Sequence, residues 1–291
     1  MTSLISVIIP AHNEASVIGR CLGALCDGYG ADEIEIVVVC NGCSDDTAGV
    51  ARGFGERVSV VETDVPSKTN ALNLGDAAAR AFPRIYLDAD IVLTPRSLTL
   101  IEAALAQPPA LAAAPRAESV FLPATQWAVR AYYRFWTALP YIRDGMIGTG
   151  AFALSREGRA RFDIFPDVIA DDGYVRSLFG PGERVQVDAA VSEVRVPATF
   201  GDLLKIKTRS RLGVLQLRKL YPTQMTQETR SKNYGRALGA IAARPALWLS
   251  AFPYVYIAVA SWLRARRQMK QSGTYVWERD DSSRQPLVAK G

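Results

Sequence analysis

Two acidic clusters stand out as groups that could do chemistry: Asp88-Ala89-Asp90 and Asp171-Asp172. In an extended stretch, residues i and i+2 point to the same side. Asp88 and Asp90, at the end of a strand over residues 84–88, would then converge on one hard cation. Mg²⁺ or Mn²⁺ held by one or two carboxylates keeps positions open for diphosphate oxygens. The bland alternative is a pair of solvated acids in a strand-end turn, and placement in the fold decides between the two. Arg209 and Arg211 carry guanidinium groups whose geometry matches phosphate. Alternatively, they lie on the solvated face of a basic helix. Cys40-x-x-Cys43 is only half of a zinc site, which needs a second ligand pair, and Cys21 and Cys26 are too poorly spaced on a helix to share a face. His12, beside Asn13, reads as a loop residue. Tyr132, Tyr133, Phe135 and Trp136 read as core packing, or as the wall of an acceptor site.

The elements that must position these groups alternate in the N-terminal half. Apolar, β-branched runs over 4–10, 34–40, 58–62 and 84–88 read as strands. Between them, Asn13 could cap a helix striped by Val17, Ile18, Cys21, Leu22 and Leu25. Ser44 or Asp45 could start a second helix, and 69–81 a third. Thr94-Pro95 reads as a cap with proline at the first helical position, and that helix should stop before Pro108-Pro109. Strand–helix alternation at this spacing predicts an α/β fold with a doubly wound, mostly parallel sheet and helices on both faces. Ligands in such sheets bind beyond the carboxyl ends of the strands, where Pro10–Glu14, Asn41–Asp46 and Asp88–Asp90 fall. The second half is less regular. A helix over 124–139, strands at 151–154, 184–187 and 191–196, a basic helix over 203–220 and an uncharged run over 246–263 are expected there, followed by a loose polar tail over 271–291.

These motifs, taken in order, resemble the family 2 glycosyltransferases. Val7 to Glu14 resembles their opening strand and turn, and Val37 to Thr47 a variant of their "DDGSxDxT" element. Lys68 to Asn73 is similar to "KxxALN", Asp88-Ala89-Asp90 to the metal motif, Gly148 to Phe152 to the acceptor-side glycine loop, and Asp171-Asp172 to "ED". The resemblance covers about residues 4–212 and implies a GT-A fold with a nucleoside-diphosphate sugar as donor, a hydroxyl as acceptor and inversion at the anomeric carbon. It implies that Pro10, Ala11, Asn13, Glu14 and Asn41 meet the nucleoside, with Lys68 near base and ribose and Asp88 near ribose and diphosphate. It further implies Asp90 as metal ligand, Gly148, Thr149 and Gly150 on the acceptor side, and Asp172, beside Asp171, as general base. Two departures bear on specificity. Cys40 and Asn41 stand where the family's turn carries Asp, and an Asn offers both a donor and an acceptor. The processive members' QxxRW has no counterpart Trp in 207–212, which favours addition of one sugar per visit.

Resemblance and pattern together divide the chain into a catalytic region over 1–200, with a nucleotide-sugar half to about 115 and an acceptor half after it. A basic and apolar helical region over 201–270 and the tail complete it. The net charge of +5 conceals a split: residues 203–270 hold 14 Lys and Arg against one acid, Glu228, so this segment is net +13 and the remainder −8. An anionic partner is implied. No nucleic-acid recognition scaffold is present in the sequence, which leaves an anionic membrane surface or a phosphate-bearing ligand. The uncharged run is marginal for spanning, and Pro253 interrupts it. It could span, lie in the interface or pack in the core. Residues 1–10 lack the basic segment of a signal peptide. With four cysteines expected as free thiols, a cytoplasmic protein peripheral on the inner face of the membrane is anticipated. The competing readings are another nucleotide-sugar enzyme, such as a nucleotidyltransferase, and a non-enzymatic membrane-binding module. A dehydrogenase would show G-x-G-x-x-G where Pro10-Ala11-His12-Asn13 stands.

Overall fold

The structure is a computed structural model. It describes residues 5–30, 32–94, 96–139, 149–225 and 244–270; Pro95, Gly148 and the 271–291 tail, on which expectations were placed, lie outside them. An eight-stranded mixed sheet has the order β3-β2-β1-β4-β7-β6-β8-β5. Strands β1 (Ile5–Ala11), β2 (Ile34–Asn41), β3 (Val58–Thr63) and β4 (Arg84–Leu87) run parallel. Beyond β4 the sheet turns mixed. β7 (Ala151–Leu154) is antiparallel to β4 and to β6 (Ala112–Val120), β6 is parallel to β8 (Arg184–Arg195), and the two-residue β5 (Val92–Leu93) closes the edge.

The runs of Val and Ile in β1 and β2 are buried on both faces, as parallel strands covered by helices must be. Val7 and Ile9 face one cluster with Leu22 and Leu25 of α1 (Ile18–Gly28), Ala48 and Ala51 of α2 (Thr47–Arg52), and Leu98 and Ile101 of α4 (Ser97–Leu105). Ile8 faces the opposite cluster with Leu72 of α3 (Lys68–Ala78) and Val175 of α7 (Asp171–Ser177). Helix α3 lies close on the sheet at Gly75, where a Cβ would come 2.5 Å from Ile8 Cγ2. Helices α5 (Trp127–Trp136), α6 (Arg156–Arg159), α8 (Phe200–Leu220) and α9 (Trp248–Lys270) complete the description. Tyr132, Tyr133 and Phe135 are buried and Trp136 packs against them, whereas Trp127 at the start of α5 is exposed. All four cysteines are free thiols.

Several local expectations are corrected. Asn13 does not cap α1, which starts at Ile18 without a side-chain cap; its side chain is committed elsewhere, as described below. Helix α2 begins at Thr47, because Asp45 spends its carboxylate on the Thr47 amide and hydroxyl. Helix α4 begins at Ser97, whose amide donates to Thr94 O. The two short strands expected at 184–196 are one strand, with a register shift opposite Pro115/Arg116. Strand β6 was not foreseen at all.

Candidate active site

The order β3-β2-β1-β4 places a switch point between β1 and β4, where a crevice must open at the carboxyl ends. The first wall is made by two turns. Ala11 pairs with Cys40 at the end of the β1–β2 ladder. Asn41, buried, donates from Nδ2 to Ala11 O at 2.9 Å, and His12 Nδ1 lies 2.6 Å from Asn41 O. Asn13 has φ 54°, a left-handed conformation that Asn tolerates. Its Oδ1 accepts from the Ser44 amide at 2.6 Å and the Asp45 amide at 3.2 Å, which fastens the first turn to the second. The buried Glu14 donates its amide to Thr47 Oγ1 at 2.7 Å.

The acidic turn forms the floor. Strand β4 ends at Leu87, and Asp88-Ala89-Asp90 is a turn closed by Ile91 N to Asp88 O at 3.1 Å, so the extended geometry expected for this triplet is corrected. The reason is the end of the paired strand: Asp88 N continues the ladder with a bond to Gly150 O at 2.7 Å, but β7 begins only at Ala151, and Gly150 before it is left-handed. Gly150 has φ +83°, and a Cβ there would lie 2.8 Å from Ile91 Cγ1 and 3.0 Å from Asp88 Oδ2. Asp90 is anchored through its carbonyl, which accepts from the Arg20 guanidinium of α1 at 2.8 Å. The thiol of Cys21 lies beneath the turn. Burial, and then the charges of Asp90 and Asp88, push its pKa far up.

Lys68 joins the floor to the far wall. Ser67 caps α3 by accepting from the Asn70 amide, and this fixes Lys68 at the first helical position. Its Nζ lies 2.8 Å from Asp88 Oδ1 and 3.2 Å from Asp171 Oδ1. Burial alone would lower the ammonium pKa, but Asp171, Asp88 and Asp172 outweigh it and raise it. Asp171 is buried, and its Oδ2 has no hydrogen-bond partner among the described residues. Burial raises its carboxyl to about 6; Lys68 pulls down, while Asp172 and Asp88 push up. Asp172 is more accessible and accepts from the Gly173 amide at 2.6 Å. Pro10, Lys68, Asp88, Gly150, Asp171 and Asp172 line one cleft, floored by Tyr86 and Phe152.

Arg209 and Arg211 do not line it. Gly213 of α8 packs on Ala170, immediately before the acid pair, and Arg209 lies one turn earlier on that face. Arg211 lies one turn beyond Lys207, whose Nζ sits 4.7 Å from the Trp136 ring centroid on the side of α5. Burial first, and Arg211 second, lower the Lys207 ammonium to about 8.

Three positioning residues escaped the sequence reading. Asn73 donates to Phe165 O at 3.0 Å and accepts from Phe165 N at 2.8 Å, holding the loop that leads to Asp171. Buried Asp76 joins Arg84 at 2.7 Å, Arg159 at 2.8 Å and the Tyr86 hydroxyl at 2.6 Å. Arg20 is the third. Asn73 falls within a recognisable motif, but the partners of all three are distant in sequence, so no local pattern marks them.

A divalent cation is implied by the acidic turn. Among the described residues no group of three or more His, Cys, Asp or Glu could hold a metal ion. A cage made wholly of protein does not fit. Asp88 faces the cleft, where its Oδ1 is paired with Lys68, and a hard cation there would need only one or two carboxylates, with its other positions left to diphosphate oxygens and water.

The model of glycosyl transferase family 2 matches residues 6–161, more than half of the chain. Probable glycosyltransferase YdaM of Bacillus subtilis (strain 168) is 37% identical over 94 residues, 30% of this chain and 22% of that protein. Validoxylamine A glucosyltransferase of Streptomyces hygroscopicus subsp. jinggangensis is 30% identical over 110 residues, 36% of this chain and 26% of that protein. The matched segments span about a quarter of these relatives' length. Among solved structures, mannosyltransferase PcManGT from Pyrobaculum calidifontis, in complex with GDP-Man and Mn²⁺, superposes with TM-score 0.58 at 23% identity, covering 88% of this chain and 73% of that one. Glucosyl-3-phosphoglycerate synthase from Mycobacterium tuberculosis, in complex with Mn²⁺, UDP and phosphoglyceric acid, gives 0.52 at 21% identity over 75% and 78%. These likenesses establish the GT-A fold, and with the family match the chain belongs to the family 2 glycosyltransferases.

Proposed function

We propose that this chain is a metal-dependent, inverting glycosyltransferase that moves one sugar per visit from a nucleoside-diphosphate sugar to an acceptor hydroxyl. The observation that carries the reading is the convergence of Asp88, Lys68, Asp171 and Asp172 on one cleft at the switch point of the sheet. The solved relatives bound to GDP-Man or UDP with Mn²⁺ support the donor class and the cation. Residues to about 115 would form the donor half and 116–200 the acceptor half.

The nucleoside would lie against Pro10, Ala11, Asn13, Glu14 and Asn41, with Asn41 held by its Nδ2 bond to Ala11 O. Lys68 would lie near the base and ribose and Asp88 near the ribose and diphosphate, and the raised pKa of Lys68 keeps it protonated there. Asp88 and Asp90 would hold Mg²⁺ or Mn²⁺; when bound, such an ion acts as a Lewis acid on the diphosphate. Thr149 and Gly150, docked on Asp88, would border the acceptor. Asp172, the accessible member of the acid pair, would take the proton of the attacking hydroxyl. Asp171 would hold Lys68 in place from below. Arg209, on the face of α8 toward the acid pair, is the better placed of the two arginines to meet the diphosphate; Arg211 would contribute only long-range charge.

Binding of a panel of nucleotide sugars, measured calorimetrically with and without Mn²⁺, tests this reading. A cation-dependent heat with one or a few donors, lost in Asp90→Ala, is expected. Binding that ignores the cation, or survives in Asp90→Ala, would remove the acidic turn from the donor site.

A further inference from the structure

Helix α9 has two apolar faces. Its inner face, Ser250, Pro253, Ile257, Ser261 and Ala265, is buried at helical spacing. Tyr254 stacks on Tyr132 at 5.5 Å and meets Phe135 at 4.7 Å, and Ile257 joins a core cluster with Val129 and Leu203. Its outer face has Leu249 81%, Phe252 75%, Val255 54% and Val259 53% exposed, with Trp248 and Trp262 near its ends. These positions recur every three or four residues, so they form one stripe about 20 Å long at 1.5 Å per residue. Ordinary exposed apolar residues are scattered singly; a continuous stripe marks an interaction surface.

Charge identifies the partner. The helix contains no Asp or Glu. Its stripe runs into exposed Arg266 and Arg267, and the Arg266 guanidinium lies 3.9 Å from the Trp262 ring centroid. The whole segment 203–270 is net +13. A second copy on this face would bring together two helices whose charged residues, Arg264, Arg266, Arg267 and Lys270, are all cations, whereas an anionic bilayer neutralises them. Tryptophan and arginine at the ends of an apolar stripe suit the headgroup depth of an interface.

By length and apolar composition, residues Pro245–Lys270 could also cross a membrane. The packing argues otherwise. To span, α9 would have to leave α5 and α8 or draw the cationic α8 into lipid, and Pro253 sits on the packed face. We infer that α9 lies in the plane of an anionic membrane surface, inserting its outer stripe while its inner face stays part of the globular body. This inference stands on α9 alone and holds whether or not the transferase reading does. If both hold, the protein is peripheral on the membrane face that carries anionic lipid, and its acceptor hydroxyl is presented there on a lipid-linked or cell-envelope glycan.

Flotation of the full chain with vesicles of phosphatidylglycerol and phosphatidylcholine, or of phosphatidylcholine alone, tests it at low and high salt. The chain should be soluble without detergent, float with the anionic vesicles and lose that binding in high salt. Leu249→Glu with Phe252→Glu, at the two most exposed positions of the stripe, should abolish flotation with an unchanged circular-dichroism spectrum. Arg266→Gln and Arg267→Gln should each weaken partitioning about fivefold. Three results would overturn the inference: equal flotation with both vesicle types regardless of salt, flotation retained in the double Glu variant, or solubility only in detergent. A dimer that the double Glu variant dissociates, in a chain that does not float, would give the face to a second copy instead. Donor binding in the same samples, read separately, shows whether a failure concerns the membrane or the transferase.

Discussion

Lys68→Met isolates the electrostatic logic of the cleft. The substitution keeps an unbranched side chain but removes the cation between Asp88 at 2.8 Å and Asp171 at 3.2 Å. The side chain of Asp171 is 5% exposed and that of Lys68 29%, so the pair is largely screened from water. Breaking a buried pair by deleting one partner costs about 3–5 kcal/mol, and the partial exposure of Lys68 favours the lower end. The cost should depend on pH. The Asp171 carboxyl already stands near 6 in the fold against an ordinary value of 3.8. A carboxyl raised on folding binds more protons folded than unfolded between those two values, so stability falls as pH rises through that window. Without Lys68 the folded value moves higher, and each further unit costs about 1.4 kcal/mol above the new value. Urea denaturation should therefore show a loss of about 3 kcal/mol at pH 8 and of about 1 kcal/mol or less at pH 5, where Asp171 is protonated in both proteins. Adding Asp171→Asn should restore much of the loss at pH 8, because no unpaired charge is then buried. An equal loss at both pH values, or no rescue by the second substitution, would show that Asp171 is not left as a buried unpaired charge.

Other outcomes follow from the same geometry. Asp172→Asn should lower turnover by at least roughly 10²-fold, the scale of a general base, while calorimetric donor affinity is unchanged; an inactive Asp171→Asn beside an active Asp172→Asn would exchange their roles. The acid limb of donor turnover should lie near pH 6, where Asp171 takes up a proton and loosens its hold on Lys68; a limb in the ordinary carboxylate range would contradict this. Gly150→Ala forces a side chain into a left-handed conformation and against Asp88, at about 1–3 kcal/mol of strain, and should weaken Mn²⁺-dependent donor binding; unchanged binding would argue against the loop's docking on the acidic turn. Asp76→Ala leaves Arg84 and Arg159 without their buried partner and should cost about 3–5 kcal/mol in denaturant unfolding, whereas a loss within surface-mutation scatter would show the cluster to be solvated.

The parts of the fold that could be read in the sequence were those with strong local signals. Strands β1 and β2 are continuous apolar runs because helices cover both of their faces, and the proposed site motifs fall at strand ends, where a doubly wound sheet exposes loops. Strand β6 was hidden: Ala112–Val120 is short of β-branched residues and contains Pro115, at the point where its register on β8 shifts. Asn13 looked like a cap because its type and position suit one; a partner turn 31 residues further on claimed its oxygen. The acidic triplet looked extended, yet the ladder to β7 ends at Asp88, and the Ile91 amide then closes a turn on the Asp88 carbonyl. Nothing in the sequence near Asp76, Asn73 or Arg20 shows that they brace the cleft, because each acts across the chain fold. The amphipathy of α9 was masked for a different reason. Both of its faces are apolar, so only tertiary packing distinguishes the face that α5 and α8 cover from the face that stays bare.

Displacement with inversion in the cleft of Asp88, Lys68 and Asp172 can be measured without knowing the acceptor. When water takes the acceptor's place, the donor is hydrolysed, and proton NMR reads the anomer first released, before mutarotation. With the donor selected by calorimetry and Mn²⁺ present, the anomer opposite to that of the donor should be released first, with no release by Asp172→Asn. First release of the donor's own anomer, or undiminished release by Asp172→Asn, would contradict displacement with inversion in this cleft.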